Sequence, residues 1–213
     1  MEEILKNMEE DKKNRIINSA LEEFSKNSFE KASTNNIVKK AGISKGLLFH
    51  YFNSKHELFH KLEEYVIHLI TNTIRKQMDW SGSDLVERFK QISLIKIKLM
   101  NHYPYIYDFS LELLKKGSIE ELKGRYEEDF ADLMVKVYQE NIDYTLFKEG
   151  IDLQKVVRII QWTLEKIGEE SFEKLKQSGE RIDLEMLQKD VEDYLDILKK
   201  AFYKVQNEEE SHD

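Results

Sequence analysis

Residues 34–52 combine side chains that can bind an anionic polymer: they run T-N-N-I-V-K-K-A-G-I-S-K-G-L-L-F-H-Y-F. Lysine, histidine and hydroxyl groups can donate hydrogen bonds to phosphate oxygens or to base edges. Ala41 and Gly42 are the small residue and the turn glycine that two steeply crossing short helices require. The chemistry indicated is non-covalent recognition of nucleic acid, and the pattern predicts a helix-turn-helix.

The spacing of apolar residues predicts which side of this segment is buried. Four of them can pack against Leu21 and Phe24 of the preceding helix: Ile37, Ile43, Leu48 and Phe52. The residues left facing outward on the second of the two short helices are Lys45, Gly46, Leu47, Phe49 and His50. Such a surface fits the major groove of DNA, where a lysine can donate to guanine edges or to phosphate. Gly46 costs about 1 kcal/mol in helix propensity but allows a close approach to the DNA backbone.

The charge distribution supports this prediction although the net charge is −8. Residues 12–55 carry nine Lys or Arg against three Glu, a balance of +6, whereas residues 56–213 have a balance of −10. A basic module on an acidic body is expected when only one end of a protein approaches phosphates.

The composition of the 213 residues favours long helices, because one proline and eight glycines are too few for many tight turns. There is no cysteine, so disulfides, thiolate zinc sites and cysteine nucleophiles are excluded. No apolar run approaches the length of a membrane span. We therefore expect a protein without membrane association, in the cytoplasm.

Helical periodicity covers nearly every segment and predicts about nine helices. The expected spans are 10–27, 34–41, 44–51, 54–78, 84–102, a sixth helix from Pro104, 118–142, 152–177 and 183–206. Several residues are predicted to end or cap these helices: Asn27 and Gly42 in left-handed conformations, Thr34 and Ser44 as N-caps, the capping boxes Ser54–Glu57 and Ser118–Glu121, and Gly179. The predicted fold class is all-α, with a three-helix DNA-binding domain in residues 1–54. Residues 55–213 would form a larger helical effector-binding and dimerisation domain, joined to it by the fourth helix.

The run from Ile16 to Leu58 also resembles the DNA-binding domain of TetR-family regulators, above all in AGISKGLLFHYFNSKHEL. The resemblance implies an all-α homodimer whose C-terminal domain binds a ligand. It places Thr34 on phosphate, several residues of the third helix in the groove, and Tyr51 and Lys55 on the DNA backbone. Together with the helix starts it predicts these DNA contacts: Thr34, Ser44, Lys45, Gly46, Leu47, Phe49, His50, Tyr51 and Lys55.

Four positions depart from the family's usual residues. Phe49 stands where tyrosine is common, Leu47 replaces a frequent threonine, Ser28 a frequent glycine and Asn53 a frequent proline. The first change removes a hydroxyl that could bond phosphate. The second is expected to shift base preference toward a thymine methyl group.

The last helix carries a heptad-spaced apolar seam that predicts dimerisation. The interface residues expected from it are Leu184, Leu187, Val191, Tyr194, Leu198 and Phe202. We expect this helix and the 152–177 helix to pair with their two-fold copies in a four-helix interface. Two recognition helices one turn of DNA apart would then bind a palindrome.

Aromatic residues and methionines concentrate in the middle of the chain and suggest a cavity for a small apolar or aromatic effector. The residues expected to line it are Phe89, Met100, Tyr103, Tyr107, Tyr126, Phe130, Met134 and Trp162. A ligand that favours one tilt of the fourth helix would change the spacing of the two recognition helices. The resulting hypothesis is a ligand-responsive transcriptional regulator of palindromic double-stranded DNA, and repression is the family's usual mode.

Two other functions remain open alternatives. A helical adaptor could use the basic N-terminus to bind acidic proteins. A di-iron bundle enzyme would use two E-x-x-H units, of which Glu57–His60 is one, but the second, Glu209–His212, lies in the charged tail. His56 and His60 stand one turn apart and could bind a divalent metal, although a solvated pair is favoured. No phosphate-binding or dinucleotide motif is present, so we predict no catalysis, cofactor or metal.

Overall fold

The computed structural model describes residues 1, 5–6, 8–116, 124–178 and 183–204, and in them nine α-helices and no strand. The helices are α1 (Glu10–Lys26), α2 (Thr34–Ala41), α3 (Lys45–Tyr51), α4 (Lys55–Gln77), α5 (Leu85–His102), α6 (Ile106–Lys116), α7 (Glu127–Tyr138), α8 (Leu153–Ser178) and α9 (Leu184–Phe202). A 3₁₀ turn spans Tyr144–Leu146, and Phe147 forms an isolated bridge with Tyr203. The predicted all-α fold class is confirmed.

Two of the predicted caps are wrong. Asn27 follows α1 in an extended conformation, with φ −131° and ψ 143°, rather than a left-handed one. Its side-chain amide donates to Glu23 instead, which gives it a partner without a left-handed turn. Thr34 is the first residue of α2, and Ser33 is the N-cap. The predicted capping box Ser118–Glu121 and the stop at Gly179 lie outside the described residues.

The start of α4 keeps half of the predicted capping box. The hydroxyl of Ser54 accepts a hydrogen bond from the Glu57 backbone N–H at 3.1 Å, as expected. The Glu57 carboxylate, however, returns to the backbone N–H of Asn53 at 2.9 Å rather than to Ser54. Asn53 therefore has a partner through its own N–H, a group that the family's more usual proline would lack.

The chain forms two compact units, and the first contains Met1–Lys76 and Leu99–Asp132. Helices α1 to α3, α6 and nearly all of α4 lie in it. Three aromatic rings join α1, α4 and α6. The Phe24 and Phe59 ring centroids are 5.1 Å apart, and those of Phe59 and Phe109 are 5.6 Å apart. Within this buried aromatic core the Tyr65 and Tyr103 hydroxyls share a hydrogen bond of 2.8 Å, which satisfies both polar groups.

The second unit contains Gln77–Lys98 and Leu133–Asp213. Asp84 caps α5 there by accepting from the Val86 N–H at 2.8 Å, and it also accepts from the Tyr203 hydroxyl at 2.7 Å and from Lys199. Burial alone would raise the pKa of Asp84, but the hydrogen bonds from Lys199, Tyr203 and the Glu87 N–H outweigh it and lower that pKa. The carboxylate thus fixes the start of α5 to the end of α9.

The predicted dimer-interface residues are divided between the inside and the outside of the second unit. Leu187 and Val191 are buried within the chain, Leu198 and Phe202 are half-buried, and only Tyr194 is exposed. The Leu184 side chain lies outside the described residues. Because α9 packs against α8, its inner stripe completes the monomer's own core. Among the described side chains of these two helices, the large apolar residues left exposed are Ile159, Trp162, Met186, Tyr194 and Ile197.

The boundary between functions and the boundary between compact units need not coincide. The division at residue 54, which separates DNA binding from effector binding, stays a prediction. By packing, all of α4 except its last residue, Gln77, belongs to the first unit, whereas α5 and α7 each divide their residues between the two units. Among the described residues, no helix is long and apolar enough to cross a membrane.

Candidate nucleic-acid interface

A buried carboxylate fixes the N-terminal end of α2. Glu23 of α1 is only 3% exposed, and its Oε1 accepts hydrogen bonds from the Ser33 N–H at 2.8 Å and from the Asn27 and Asn36 side-chain amides, each at 3.3 Å. A helix N-terminus has unpaired N–H groups and partial positive charge, so a carboxylate is favourable there. Glu23 therefore fastens α1, the loop after it, and α2 at one point.

The opposite end of α2 is fixed by a cation. The Arg15 guanidinium donates through Nε to the Ala41 carbonyl at 3.1 Å, where the helix has unpaired C=O groups and partial negative charge. Nearby, Glu22 bridges Lys26 and Lys40 at 2.7 and 2.8 Å. Burial would raise the pKa of Glu22, but the hydrogen bonds from these two lysines lower it. Helix α1 thus holds α2 with charges that match its dipole at both ends.

The turn after α2 has the predicted geometry. Gly42 adopts the left-handed conformation, with φ 66° and ψ 37°, and the Ile43 N–H closes the helix by donating to the Val38 carbonyl at 3.0 Å. A side chain at 42 would be strained in that conformation, although a Cβ atom would meet nothing within 4 Å. Glycine is therefore required by backbone conformation and not by crowding.

Ser44 is the N-cap of α3, and its hydroxyl accepts from the Leu47 N–H at 3.1 Å, as the sequence predicted. Leu48 and Phe52 are buried, which orients the helix. Lys45, Gly46 and His50 are exposed, and Leu47, Phe49 and Tyr51 are half-buried. The Lys45 ammonium lies 5.9 Å from the centroid of the Phe49 ring, and the rings of His50 and Tyr51 meet edge to face at 5.1 Å. The structure thus brings the predicted groove-facing residues together on one short helix.

Gly46 has no internal reason to be glycine. It lies in a regular turn of α3, and a Cβ atom there would have only the Ser44 hydroxyl near it, at 3.9 Å, which is ordinary contact. The helix nevertheless gives up about 1 kcal/mol of propensity relative to alanine. An exposed glycine that the fold does not require is consistent with a partner whose backbone approaches α3 closely.

Lys55 has internal partners that the sequence did not reveal. Its ammonium donates to the carbonyls of Phe29, Glu30 and Ala32 at 2.7, 3.2 and 3.1 Å, and it lies 4.7 Å from the centroid of the Phe29 ring. A lysine has three N–H donors, and all three are used. In this structure Lys55 joins α4 to the loop between α1 and α2, so we treat it as a positioning residue rather than as a phosphate contact.

Glu23 and Arg15 position the site, and neither was predicted from the sequence to do so. The available signal was an acidic residue beside Phe24 on the face of α1 that carries Ile16, Ile17, Ala20 and Leu21. Because charged side chains are almost never fully buried unless paired, such a residue on an apolar face indicates a buried partner. Thr34, half-buried at the start of α2, keeps its predicted place at the helix N-terminus.

The predicted effector-binding residues are distributed over both compact units. In the first unit Met100 and Tyr103 are buried, and Tyr107 and Tyr126 are half-buried. In the second, Phe89 is buried and Met134 half-buried, whereas Trp162 is 59% exposed. Trp162 is therefore a surface residue of the isolated chain, contrary to its assignment to a cavity wall. The Phe130 side chain lies outside the described residues.

One cavity in the first unit lies along α4. Its volume is about 320 Å³, and it is lined by Met1 and residues of α4, among them Tyr65, His68 and Asn72. It includes none of the predicted effector-binding residues. Close by, burial and the Glu63 carboxylate raise the pKa of Tyr126 to about 12, and the Tyr126 hydroxyl donates to Glu63 at 3.4 Å.

Comparison with known proteins agrees with the geometry of α1 to α4. Residues 16–62 match the family described as bacterial regulatory proteins, tetR family. The chain is 27% identical over 146 residues, 65% of its own length and 70% of the relative's, to the HTH-type transcriptional regulator QacR of Staphylococcus aureus. The family match spans most of α1, all of α2 and α3, and the first two turns of α4, so these helices resemble a TetR-family DNA-binding domain. The predicted resemblance to TetR-family regulators, which are DNA-binding transcription factors and not enzymes, is confirmed.

Solved structures extend the likeness in fold beyond the DNA-binding helices. A TetR family transcriptional regulator of Chloroflexus aurantiacus J-10-FL is 20% identical, with a TM-score of 0.63 over 96% of this chain and 98% of that one. The fatty acid degradation regulator FadR of Bacillus halodurans is also 20% identical, with a TM-score of 0.58 over 88% and 97%. At this identity the similarity establishes the helical fold that this chain shares with them.

We expect Glu23→Ala to lower the free energy of unfolding by about 1–3 kcal/mol, because three donors lose their acceptor in a buried place. Glu23→Gln keeps the acceptor oxygen and should lose less. Urea denaturation followed by circular dichroism measures both. Glu9→Ala is the matched control, since that exposed side chain makes no cap hydrogen bond at the start of α1. A loss for Glu23→Ala no greater than for Glu9→Ala would contradict the positioning role.

Proposed function

We propose that this TetR-family regulator is a homodimeric repressor that binds a palindromic operator through α3 and is released by a small apolar or aromatic effector. The observation that carries the DNA-binding part is the exposed glycine Gly46 between Lys45 and Leu47, on a helix whose orientation α1 and α2 fix. The proposed DNA contacts are Thr34, Ser44, Lys45, Gly46, Leu47, Phe49, His50 and Tyr51.

The exposed side chains of α3 support binding in the major groove. Lys45 is a donor suited to guanine edges or phosphate, and His50 can donate or accept on the next turn. Residues 12–55 carry the excess of +6, whereas the rest of the chain is acidic. Phosphates would therefore be attracted to this end of the molecule and repelled from the other.

The apolar residues that are exposed on α8 and α9 support a homodimer. Met186, Tyr194 and Ile197 follow one face of α9, and Ile159 and Trp162 lie one turn apart on α8. Ile197 is 64% and Trp162 59% exposed in the isolated chain, and clustered exposed apolar side chains mark an interaction surface. A two-fold pairing of these faces would produce two copies of α3, as a palindrome requires.

A series of contacts that leads from Tyr103 through α4 to α1 supports an effector response. Tyr103, a predicted effector-binding residue, shares a hydroxyl hydrogen bond of 2.8 Å with Tyr65 of α4. Two turns earlier on α4, Phe59 packs edge to face on Phe24 of α1, with a centroid distance of 5.1 Å. A ligand that shifts Tyr103 would therefore act on α4 and, through it, on the helix that holds α2.

Gly46→Ala is expected to act on stability and on DNA binding in opposite directions. The methyl group fits the fold and restores up to about 1 kcal/mol of helix propensity, so the free energy of unfolding should rise. The same methyl group would meet the approaching DNA, so we expect affinity for an operator selected from a random palindromic library to fall roughly tenfold or more. Urea denaturation and fluorescence anisotropy measure the two effects.

Gly168→Ala on α8 is the matched control, because a Cβ atom at that helical glycine meets nothing within 4 Å. It should stabilise the chain without weakening DNA binding. Wild-type binding should also fall steeply with salt, as phosphate neutralisation requires. Unchanged affinity in Gly46→Ala would contradict the close approach at α3, and salt-insensitive capture of acidic protein instead of DNA would favour the adaptor function.

Ile197→Asp should convert the dimer into a monomer, because a charge would have to be buried at the paired faces without a partner. The fold of the single chain should tolerate it, since that side chain is 64% exposed. Sedimentation velocity at micromolar concentration measures the mass. Val135→Asp introduces the same charge at an apolar residue of α7 that is 47% exposed, and it should remain dimeric. A wild-type monomer would contradict the homodimer, and a dimeric Ile197→Asp variant would show that the interface lies elsewhere.

The effector is expected to be retained when the protein is purified under native conditions. Native mass spectrometry should then detect an apolar or aromatic compound in near-stoichiometric amount. Its removal should raise operator affinity by roughly 5–150-fold, the usual range of coupling between two sites, and its addition should reverse the change. Operator affinity that is the same before and after extraction would contradict an effector that releases DNA.

A further inference from the structure

Two exposed imidazole rings face each other on the first turns of α4. The Nε2 atoms of His56 and His60 are 3.2 Å apart, and the ring centroids are 4.3 Å apart. The two residues are separated by one helical turn, so their side chains project from the same face of the helix. Neither ring belongs to the proposed DNA contacts, and the proposed effector response does not use them.

The separation of the two nitrogens suits a shared metal ion. Imidazole nitrogens lie about 2.0–2.1 Å from zinc, so two of them on a tetrahedral ion are about 3.4 Å apart. The observed 3.2 Å would need a change of only about 0.2 Å, within the tolerance expected of a metal site. Two neutral rings can also share one proton at this distance, which leaves a direct hydrogen bond as the competing explanation.

The groups around the pair supply a second, independent indication. The other ring nitrogen of His60, Nδ1, lies 3.6 Å from the Glu63 carboxylate, and Glu63 is only 2% exposed. Arg125 holds that carboxylate from the other side at 2.7 Å. A carboxylate near Nδ1 favours a proton on that nitrogen and so leaves Nε2 free to bind a metal, and metal-ligating histidines usually donate their other N–H to a carboxylate, a carbonyl or water.

Aromatic contacts further restrict the two rings. His56 meets the Phe29 ring edge to face at 5.9 Å, and His60 meets Phe59 in the same way at 5.9 Å. Ligands whose rotamers are held in advance lose less conformational freedom when the ion binds. The outward side of the pair is open, because both rings are exposed, and water can complete the coordination.

We infer that His56 and His60 form a binding site for a single transition-metal ion at the start of α4. The ligand chemistry selects ions that prefer imidazole, which are Cu²⁺, Ni²⁺ and Zn²⁺, with Cu²⁺ bound most tightly. Mg²⁺ and Ca²⁺ prefer oxygen ligands and should not compete. The ion would join two successive turns of α4 directly beside the loop that Lys55 fastens, and so would stabilise the first unit.

The test is a titration of the full chain, prepared without a histidine tag, with Zn²⁺ and separately with Cu²⁺ by isothermal calorimetry. We expect one site per chain. His56→Gln and His60→Gln should each weaken binding at least tenfold, and the double variant should abolish it. His68→Gln and His102→Gln are the matched controls, because they remove an imidazole elsewhere in the first unit, and their affinity should stay within twofold of wild type.

A second measurement separates a metal site from a hydrogen-bonded pair. In ¹⁵N spectra of the imidazole rings, Zn²⁺ should shift the Nε2 signals of both His56 and His60 and leave His102 unchanged. The proposal is wrong if the double variant binds as tightly as wild type, if His68→Gln weakens binding as much as His56→Gln, or if wild type binds neither ion at millimolar concentration. None of these results depends on DNA binding, so the regulator function is tested separately.

Discussion

The buried carboxylate of Glu23 is the interaction on which the DNA-binding surface depends. A charge removed from water must be satisfied within the protein, and the donors that converge on it belong to the loop after α1 and to α2. Arg15 supplies the opposite charge at the other end of α2. With both ends of α2 fixed on α1, the left-handed Gly42 leaves only one direction for α3, and the exposed face of α3 follows from it.

Features that depend on neighbours in sequence could be predicted, and features that depend on distant partners could not. Gly42 and Ser44 act through their own backbone or through residues three positions away, so the turn and the start of α3 were correct. The Lys55 ammonium is instead bound by carbonyls 23 to 26 residues earlier, and Glu23 bonds groups up to 13 residues later. Helical periodicity relates residues three or four positions apart, so it does not predict contacts between residues at those larger separations.

The last helix shows a different limit of prediction. Its apolar residues form two stripes: an inner one with Leu187 and Val191, which completes the monomer, and an outer one with Tyr194 and Ile197, which is exposed. A heptad pattern detects apolar spacing but does not distinguish a partner helix in the same chain from one in a second copy. The positions of most of the described helices were therefore predictable, whereas the direction of each apolar face required the three-dimensional packing.

The first compact unit is built from two separate segments of the chain, and this restricts the exchange of segments with related proteins. The helix that follows the loop after His102 returns to the DNA-binding unit, where Phe109 packs on Phe59 and Tyr105 approaches Lys26. A fragment cut after residue 54 would lose these partners and expose the apolar side of α1 to water. Recombination of a DNA-binding module with a foreign sensor would therefore need three compatible junctions, near residues 76, 98 and 132, rather than one. The DNA-binding helices and residues 99–132 must accordingly be inherited together in this architecture.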